Sequence, residues 1–320
     1  MKQEILEELE KITPEEEFIL KGNREIEKNR YMSAKDGVID AAKLLDAGKL
    51  IQIRTHTRFI HFPAHTHNYI EVVYMCSGRT HHVINGNHVI LNQGELLFLN
   101  QKAVQEIYPA KEKDIAVNFI ILPEFFDYGL RMMETEKNDL REFIVDCLRE
   151  EKNGAGYLHF KVADVLSIQN LVENLIWTLL NKQSNKRSIN QATMGLLFLQ
   201  LLNHMDKLET GESGAPQKLI ISVLSYIEEN YKDGELGILA EQMHYNMYWL
   251  SKEIKKQTGK NFTKLLQNKR MNQAAYLLRN TSLTVLEISI AVGYDNASFF
   301  HKLFKKKYGV TPRRYRVTSD

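Results

Sequence analysis

The spacing of hydrophobic residues divides the chain into three regions. Between about residues 50 and 125, short runs alternate hydrophobic and polar positions or are rich in β-branched residues, and turn-forming residues separate them. This period of two predicts several short β-strands in a small barrel or sandwich. Asn85-Gly86 lies between two alternating runs, which is a strong signal for a β-hairpin at this point.

From about residue 135 the hydrophobic period becomes that of an α-helix. Leucines in residues 164–183 fall on one broad stripe, and residues 194–205 are hydrophobic on nearly every side. The latter helix needs cover on several faces, which either the β-domain or a dimer interface would supply. Residues 206–217 are polar and contain two glycines and Pro216, the composition of a linker.

Composition restricts the class of protein. The 320 residues suffice for two domains, and 43% hydrophobic and 26% charged residues are typical of globular proteins. The acidic N-terminus lacks the basic start and apolar core of a signal peptide, and no apolar run has transmembrane length. Cys76 and Cys147 are too few for a disulfide framework. These features predict a cytoplasmic protein without a membrane partner.

The net charge of +2 conceals an asymmetry between the two ends of the chain. Residues 218–320 carry 17 Lys and Arg against 9 Asp and Glu, whereas the preceding 217 residues carry 25 against 31. A basic C-terminal region joined to an acidic N-terminal region favours binding of a polyanion such as nucleic acid by the basic region.

Two helix-turn-helix patterns follow one another in this basic region. In residues 236–259 a short helix with the small Ala240 ends near His244, and Asn246 is a good N-cap for the next helix. In residues 282–312 a small serine precedes Gly293 by four positions, which lets two helices approach closely around a left-handed turn. The helix that follows is predicted to bury four residues, Phe299, Phe300, Leu303 and Phe304.

This half resembles the DNA-binding domain of the AraC/XylS transcription regulators. The resemblance covers residues 218–316 and is carried by the segments YWLSKEIKKQTG, RMNQAAYLL and EISIAVGYDNASFFHKLFKKKYGVTPRRYR. It implies that residues 261–280 form one helix that sets the spacing of two recognition helices. At a separation of about 34 Å, both would enter successive major grooves on one face of DNA.

The resemblance also implies which side chains meet DNA. Base edges would be read by the exposed faces of the recognition helices, at Tyr248, Ser251, Lys252, Ser298, His301 and Lys302. The remaining basic residues are expected to meet phosphates: Lys255, Lys256, Lys305, Lys306, Lys307, Arg313, Arg314 and Arg316. Two departures from the family pattern matter. His244 stands where glycine or asparagine is usual, and the positive φ expected there costs more, although histidine tolerates it better than most residues. Lysine replaces arginine at 252 and 302, which gives up bidentate geometry and weakens the base contacts at those two positions.

The β-region contains a His-x-His-x3-Glu-x6-Gly stretch that ends at Gly78 and matches the first cupin motif. In an alternating strand, five of its residues point inward, with Ile70 and Val72 outward: His65, His67, Tyr69, Glu71 and Val73. A metal-binding cupin adds a histidine about eleven residues after the glycine at position 94, where this chain has Gln105, a poor ligand for transition metals.

Three interpretations of the two histidines stay open. His65, His67 and Glu71 could bind zinc or iron weakly, with His61 or His81 completing the set. They could instead line a polar ligand pocket, or be buried structural residues. A pocket with Arg54 and Gln105 added would offer donors, acceptors and ring faces, which suits a polyhydroxylated ligand. Regulators of the resembled family commonly keep such a pair in a sensing domain, so a sugar effector is expected.

The sequence therefore predicts an α+β protein with two domains, an N-terminal cupin-like β-barrel with flanking helices and a C-terminal all-α tandem helix-turn-helix domain. The expected divisions are an acidic helical segment, an effector-binding barrel, a helical dimerisation or docking region, a linker and the DNA-binding domain, at 1–45, 46–130, 131–205, 206–217 and 218–320.

The expected function is that of a ligand-responsive regulator rather than an enzyme. It would need no cofactor, bind promoter DNA and a small molecule, form a homodimer, and have RNA polymerase as a further candidate partner. One alternative is a metal-dependent cupin enzyme, an isomerase or dioxygenase, fused to a DNA-binding domain. Another is a constitutive architectural DNA-binding protein with a filled barrel, which an apolar lining would favour.

Overall fold

The computed structural model describes residues 1–23, 25–33, 37–125, 156–181, 185–209 and 215–317. These form two compact units, one of the described residues up to Ala215 and one from Pro216 onward. Part of the predicted helical region (131–155), Cys147 and part of the predicted linker (210–214) lie outside the described residues. No helix in the described ranges is both long and apolar enough to cross a membrane.

Eleven strands in the described ranges build the first unit. They are β1 (Val38–Ile39), β2 (Ile51–Thr55), β3 (Phe62–His67), β4 (Ile70–Ser77), β5 (Arg79–Ile84), β6 (Asn87–Asn92), β7 (Leu96–Leu99), β8 (Gln105–Ile107), β9 (Ile115–Ile121), β10 (Tyr157–Phe160) and β11 (Leu208–Glu209). The five-stranded sheet has the order β1-β3-β8-β5-β6 and the six-stranded sheet the order β11-β10-β7-β4-β9-β2. The predicted β-rich domain is confirmed, and within the described residues its strands form two sheets rather than a closed barrel.

Local turn chemistry explains the hairpin between β5 and β6. Asn85 and Gly86 both have positive φ, 50° and 82°, and join Ile84 to its cross-strand partner Asn87. A two-residue turn with both φ values positive matches the twist of the flanking strands. The hairpin predicted at this pair is therefore confirmed.

The strand predicted through the His-x-His stretch is in fact two strands. β3 ends at His67, the chain turns, and β4 begins at Ile70. β4 lies between β7 and β9, and every residue from Ile70 to Cys76 is buried. Ile70 and Val72, which were predicted to face outward, are therefore also buried, because the central strand is covered on both faces.

Along the chain, helices come both before and after most of the strands. Those before β2 are α1 (Gln3–Glu10), α2 (Pro14–Leu20), α3 (Lys28–Tyr31) and α4 (Ala41–Leu44). Those after β10 are α5 (Leu166–Leu180) and α6 (Lys186–Leu202), which pack against each other. The buried face of α5 runs through Ile168, Val172, Leu175 and Ile176, so the leucine stripe predicted for it is displaced.

A buried ion pair ties the N-terminal segment to the sheets. Arg58 and Glu16 are 1% and 0% exposed, and Arg58 donates from Nε to Glu16 Oε1 at 2.6 Å and from Nη2 to Oε2 at 2.9 Å. Glu16 also closes the capping box of α2 with Thr13. Burial alone would raise the pKa of Glu16, but the hydrogen bonds from Arg58 and Thr13 outweigh burial and hold it below its usual value.

The second unit is entirely helical in the part of the chain described. Its helices are α7 (Ala215–Asn230), α8 (Leu236–Gln242), α9 (Met247–Thr258), α10 (Phe262–Asn280), α11 (Val285–Ala291), α12 (Ala297–Tyr308) and α13 (Pro312–Val317). Apolar residues of α10, α11 and α12 share one core around Phe300 and Phe304. The predicted C-terminal all-α domain is confirmed.

Candidate effector pocket and nucleic-acid interface

A small polar pocket lies at one end of the two sheets, with a volume of about 50 Å³. Its hydrophobic walls come from β1, α4, β3, β8 and β9. Five of the six residues predicted to bind an effector line it: Arg54, His65, His67, Tyr69 and Glu71. Ligand pockets usually measure about 300–1,000 Å³, so this pocket has room for only a few water molecules, each of which needs about 10–15 Å³ of such a volume.

The carboxylate of Glu71 lies at the polar centre of the pocket. Asn118 Nδ2 donates to Glu71 Oε1 at 2.9 Å, and Glu71 Oε2 lies 3.5 Å from His67 Nε2. Glu71 Oε2 and His67 Nδ1 are buried and make no hydrogen bond with the described residues. Buried polar atoms normally have partners, so these two atoms are available to a ligand that donates and accepts hydrogen bonds.

Gln105, the sixth predicted residue, lies behind this lining. It is the cross-strand partner of His65 and is fully buried. Its Nε2 lies 3.0 Å from His82 Nδ1, and His82 Nε2 in turn lies 2.8 Å from Thr80 Oγ1. Gln105 does not line the cavity, and it supports the pocket wall through its side-chain hydrogen bond to His65.

The N-terminal segment supplies a wall that the sequence did not indicate. Tyr31 lines the pocket and donates from its hydroxyl to Glu15 Oε1 at 2.6 Å. Arg54 Nη2 reaches the Tyr31 hydroxyl at 3.3 Å and Glu15 Oε2 at 3.2 Å, and its guanidinium lies 4.9 Å from the centre of the Tyr31 ring. This network joins the N-terminal segment to Arg54 at the pocket.

Four further polar lining residues were also missed, Thr55, His56, Thr57 and Asn118. His56 follows β2, and its Nδ1 lies 3.1 Å from Asn118 Oδ1. Asn118 is the only polar residue in the apolar run of β9, Ile115–Ile121, and a lone polar side chain in a buried strand was a signal that could have found it.

The described residues contain no group of three or more His, Cys, Asp or Glu side chains placed to hold a metal ion. His65 Nδ1 is within 2.8 Å of the Pro63 carbonyl oxygen, which commits that nitrogen to donation. His61, considered as an additional ligand, instead lies on the surface with its Nε2 2.8 Å from Glu106 Oε1. His81 is likewise paired with His88 at 3.0 Å.

The pocket is expected to make the first unit sensitive to acid. Burial lowers the pKa of His65 from 6.5 to about 4, and it also lowers the pKa of the other buried histidines, His56, His67 and His82. Their stabilising contribution is lost as pH falls below 6.5, because the unfolded state then binds more protons. Burial raises the pKa of Glu71 from 4.5 to about 7 despite the opposing hydrogen bond from Asn118, so its contribution changes in the opposite direction, being lost as pH rises through 7.

Four histidines outweigh one glutamate, so the melting temperature of this unit should fall between pH 6.5 and 4. Thermal unfolding at half-unit pH intervals measures this. Glu71→Gln should steepen the fall, because it removes the one opposing group. A melting temperature that rises on acidification would contradict the expectation.

The two helix-turn-helix motifs of the C-terminal helical domain have the same turn geometry. The Tyr245 amide donates to the Ala240 carbonyl at 2.9 Å, and the Tyr294 amide donates to the Ser289 carbonyl at 2.9 Å. Left-handed residues occupy the equivalent positions, His244 with φ 57° and Gly293 with φ 85°. Histidine at the first of these turns was predicted to adopt a positive φ, and it does.

Each recognition helix is capped in the same way. Asn246 accepts hydrogen bonds from the Tyr248 and Trp249 amides before α9, and Asn296 accepts one from the Phe299 amide before α12. Both helices end at a left-handed glycine, 259 and 309. Side-chain caps at one end and glycine at the other explain why these short helices begin and end where they do.

The residues predicted to read bases lie on these helices. Tyr248 is 78% exposed, Ser251 is half-buried, and the other four, Lys252, Ser298, His301 and Lys302, are exposed. The buried stripe predicted for α12 is correct for Phe300 and Phe304 but wrong for Phe299, which is 49% exposed. Phe300 and Phe304 are four positions apart and already fill the core, whereas Phe299 is turned about 100° away.

The residues predicted to meet phosphates fall into two groups. Six are exposed: Lys255, Lys256, Lys305, Lys306, Arg313 and Arg314. The other two are engaged within the domain. Lys307 Nζ donates to the Asn268 carbonyl at 3.1 Å and to Asn272 Oδ1, and Arg316 donates to the carbonyls of Leu278 and Leu283.

The sequence interpretation overlooked an exposed aromatic surface at the start of α9. Tyr245 and Trp249 stack with ring centres 4.9 Å apart, and both are nearly half exposed beside Met247 and Tyr248. Such a surface can pack against thymine methyl groups.

Comparisons with known proteins agree with this arrangement. The family described as AraC-like ligand binding domain matches residues 49–202, and the family described as helix-turn-helix domain matches residues 239–318. The HTH-type transcriptional activator RhaS of Escherichia coli O81 (strain ED1a) is 23% identical over 265 residues, which cover 81% of this chain and 89% of that protein.

One solved structure is also similar to part of the chain, and another is similar to most of it. The C-terminal domain of AraT, a response regulator from Geobacillus stearothermophilus, is 37% identical and covers 31% of this chain and 84% of its own, with a TM-score of 0.30. ToxT from Vibrio cholerae O395 is 13% identical and covers 83% of this chain and 96% of its own, with a TM-score of 0.33.

Proposed function

Since the chain belongs to the AraC family of transcription regulators, with a ligand-binding domain and a helix-turn-helix DNA-binding domain, we propose that a sugar is the effector and that the polar pocket receives it. The observation that carries this proposal is the pair of buried atoms without hydrogen-bond partners, His67 Nδ1 and Glu71 Oε2. A hydroxyl group both donates and accepts, so it can satisfy atoms of this kind once water is removed.

The effector enters a pocket that has to enlarge. A cavity of about 50 Å³ is too small for a monosaccharide. Tyr31, Ile39 and Leu44 form the wall contributed by the N-terminal segment, and its displacement would enlarge the pocket while leaving β3, β4 and β9 in place. The ligand then favours the state with that wall displaced, and this differential affinity is what can change promoter binding.

Thermal unfolding of the full chain against a panel of mono- and disaccharides tests the sensing role. A sugar at 100 times its dissociation constant should stabilise the protein by about 2.7 kcal/mol. His67→Gln should remove that stabilisation, whereas His88→Gln on the surface should keep it. A shift with a divalent metal that a chelator reverses, and none with any sugar, would favour the metal-dependent enzyme instead.

The DNA contacts follow from the two recognition helices. We assign base contacts to Tyr248, Ser251, Lys252, Ser298, His301 and Lys302, and phosphate contacts to the exposed basic residues that follow them. Lys307 and Arg316 contribute mainly to the packing of the domain, because internal carbonyl groups already accept their hydrogen bonds.

Salt dependence distinguishes these roles. Lys306→Ala should lower the slope of log affinity against log salt concentration by about 0.9, one released counterion. Lys307→Ala should change the slope less and the unfolding free energy more, because its ammonium is bound by Asn268 and Asn272. Fluorescence titration of promoter DNA at several salt concentrations gives both slopes. Equal slope changes for the two variants would contradict the division of roles.

The protein acts in the cytoplasm as a homodimer, with the helical pair α5 and α6 as the dimer interface, and contacts RNA polymerase when bound to promoter DNA. Leu166, Leu196 and Leu199 leave exposed apolar surface on this pair, which supports the interface. We assign no enzymatic activity to the pocket.

A further inference from the structure

A second, larger cavity lies in the first unit along strand β2. Its volume is about 400 Å³, within the range usual for ligand pockets. It is lined by strand β2 and the residues just before it, by Phe125, and by residues at the end of α5 and the start of α6. It shares no lining residue with the polar pocket, although β2 contributes to both: Ile51 and Ile53 to the larger cavity, Arg54 and Thr55 to the smaller.

The inner surface of this cavity is mostly apolar. Six hydrophobic residues contribute to it, Leu50, Ile51, Ile53, Phe125, Leu179 and Leu180. A surface of this kind excludes water and favours an occupant with a hydrocarbon chain or ring.

Three cationic side chains line the cavity, Lys49, Lys186 and Arg187, and Lys49 lies close enough to Lys186 for their charges to interact. Lys49 is paired with Asp46 at the surface. Lys186 Nζ donates to the Leu179 carbonyl at 2.8 Å and to the Asn181 carbonyl at 3.2 Å, which leaves one of its three ammonium protons for another acceptor. Burial, together with the charge of Lys49, lowers the pKa of Lys186, so an anion placed here would relieve an unfavourable interaction.

Helix α6 adds to these cationic side chains. It has 17 residues and begins at Lys186, and the side chain of the preceding Asn185 makes no capping hydrogen bond. The amides of the first helical turn therefore carry positive partial charge without a side-chain cap. Anions bind at such helix starts where charged side chains accompany them.

Asn190 provides an independent sign of a missing partner. It lies one turn into α6, lines the cavity and is only 2% exposed. Its Oδ1 makes no hydrogen bond with the described residues. Because an amide can rotate to present either oxygen or nitrogen, Asn190 can satisfy a hydroxyl or a carboxylate.

We propose that this cavity is a second ligand site, for an apolar carboxylate. The hydrocarbon part lies among the six hydrophobic residues, and the carboxylate accepts hydrogen bonds from Lys186 and Arg187 at the start of α6, within reach of Asn190. The site is separate from the sugar pocket and takes a different chemical class, so it goes beyond the effector proposed above.

Calorimetric titration of the full chain with octanoate tests the proposal, with octanol as the neutral analogue of similar shape. Octanoate should bind, and octanol should bind at least about tenfold more weakly, since hydrogen bonds to a charged group contribute about 1.5–3 kcal/mol. Lys186→Met and Arg187→Met should each weaken octanoate binding by about tenfold, while Lys21→Met, a surface change elsewhere, should leave it unchanged.

Two further measurements locate the site. Leu180→Trp, at a half-exposed position on the cavity wall, should block octanoate binding without unfolding the protein. A photoreactive octanoate should label peptides that contain residues 48–53 or 179–190. Absence of binding, equal binding of octanol, labelling confined to the polar pocket, or a dimer that excludes octanoate from the cavity would each overturn the proposal.

Discussion

Arg58→Met is expected to lower the free energy of unfolding of the first unit by about 3–5 kcal/mol, the usual loss when one partner of a buried ion pair is removed. Glu16 would remain as a fully buried charge without its partner. The carbonyls of Glu112, Glu10 and Lys11 would also lose the hydrogen bonds that Arg58 donates to them at 2.7, 3.2 and 3.3 Å.

Urea unfolding measures this loss, and the two tryptophans of the chain separate the two units. Trp177 belongs to the first and Trp249 to the second, so a Trp249→Phe background reports the first unit alone. Glu16→Leu combined with Arg58→Met should recover part of the loss, because no charge is then buried alone. Lys113→Met, which breaks an exposed pair with Glu10, should cost about 1 kcal/mol or less. A similarly small cost for Arg58→Met would contradict the anchoring role.

Gly293→Ala is expected to destabilise the second helix-turn-helix unit by about 2–5 kcal/mol and to abolish sequence-specific DNA binding. Its φ of 85° is unfavourable for any residue with a Cβ, and a Cβ there would lie 2.3 Å from the Lys232 carbonyl oxygen. That carbonyl also accepts from Arg270 Nη2 at 2.7 Å, so it is held in place and cannot yield easily.

Gly309→Ala is the matched control for this substitution. Gly309 has nearly the same φ, 77°, but nothing lies within 4 Å of the Cβ that would be added. It should therefore cost only the backbone strain of about 1–2 kcal/mol. Unfolding followed by Trp249 fluorescence in a Trp177→Phe background gives both values. Equal costs would show that close packing against Lys232 does not matter.

The parts of the fold that were predictable from sequence depend on local chemistry. Asn85-Gly86 and the left-handed turn at Gly293 require particular residues at particular positions, and asparagine caps mark the start of both recognition helices. These signals involve only a few neighbouring residues, so they can be recognised in the sequence without knowledge of the tertiary structure.

The parts that were not predictable depend on contacts between distant segments. Tyr31 reaches the pocket through a bond to Glu15 and another to Arg54, and Glu16 meets Arg58 across 42 positions. No hydrophobic period marks such pairs. The pocket residues on strands were therefore predicted, because alternation along a strand shows which side chains share a face. The wall that contains Tyr31 was not predicted.

The closed polar pocket has a consequence for the time course of effector binding. If the sugar enters only while the wall that contains Tyr31 is displaced, the observed rate of binding cannot exceed the rate at which the wall opens. That rate should level off as the sugar concentration rises, and motions of this kind take roughly microseconds to seconds. A small open population also weakens the measured affinity in proportion to its fraction. An effector that enters in this way therefore has to reach a higher concentration than its affinity for the opened pocket alone would require.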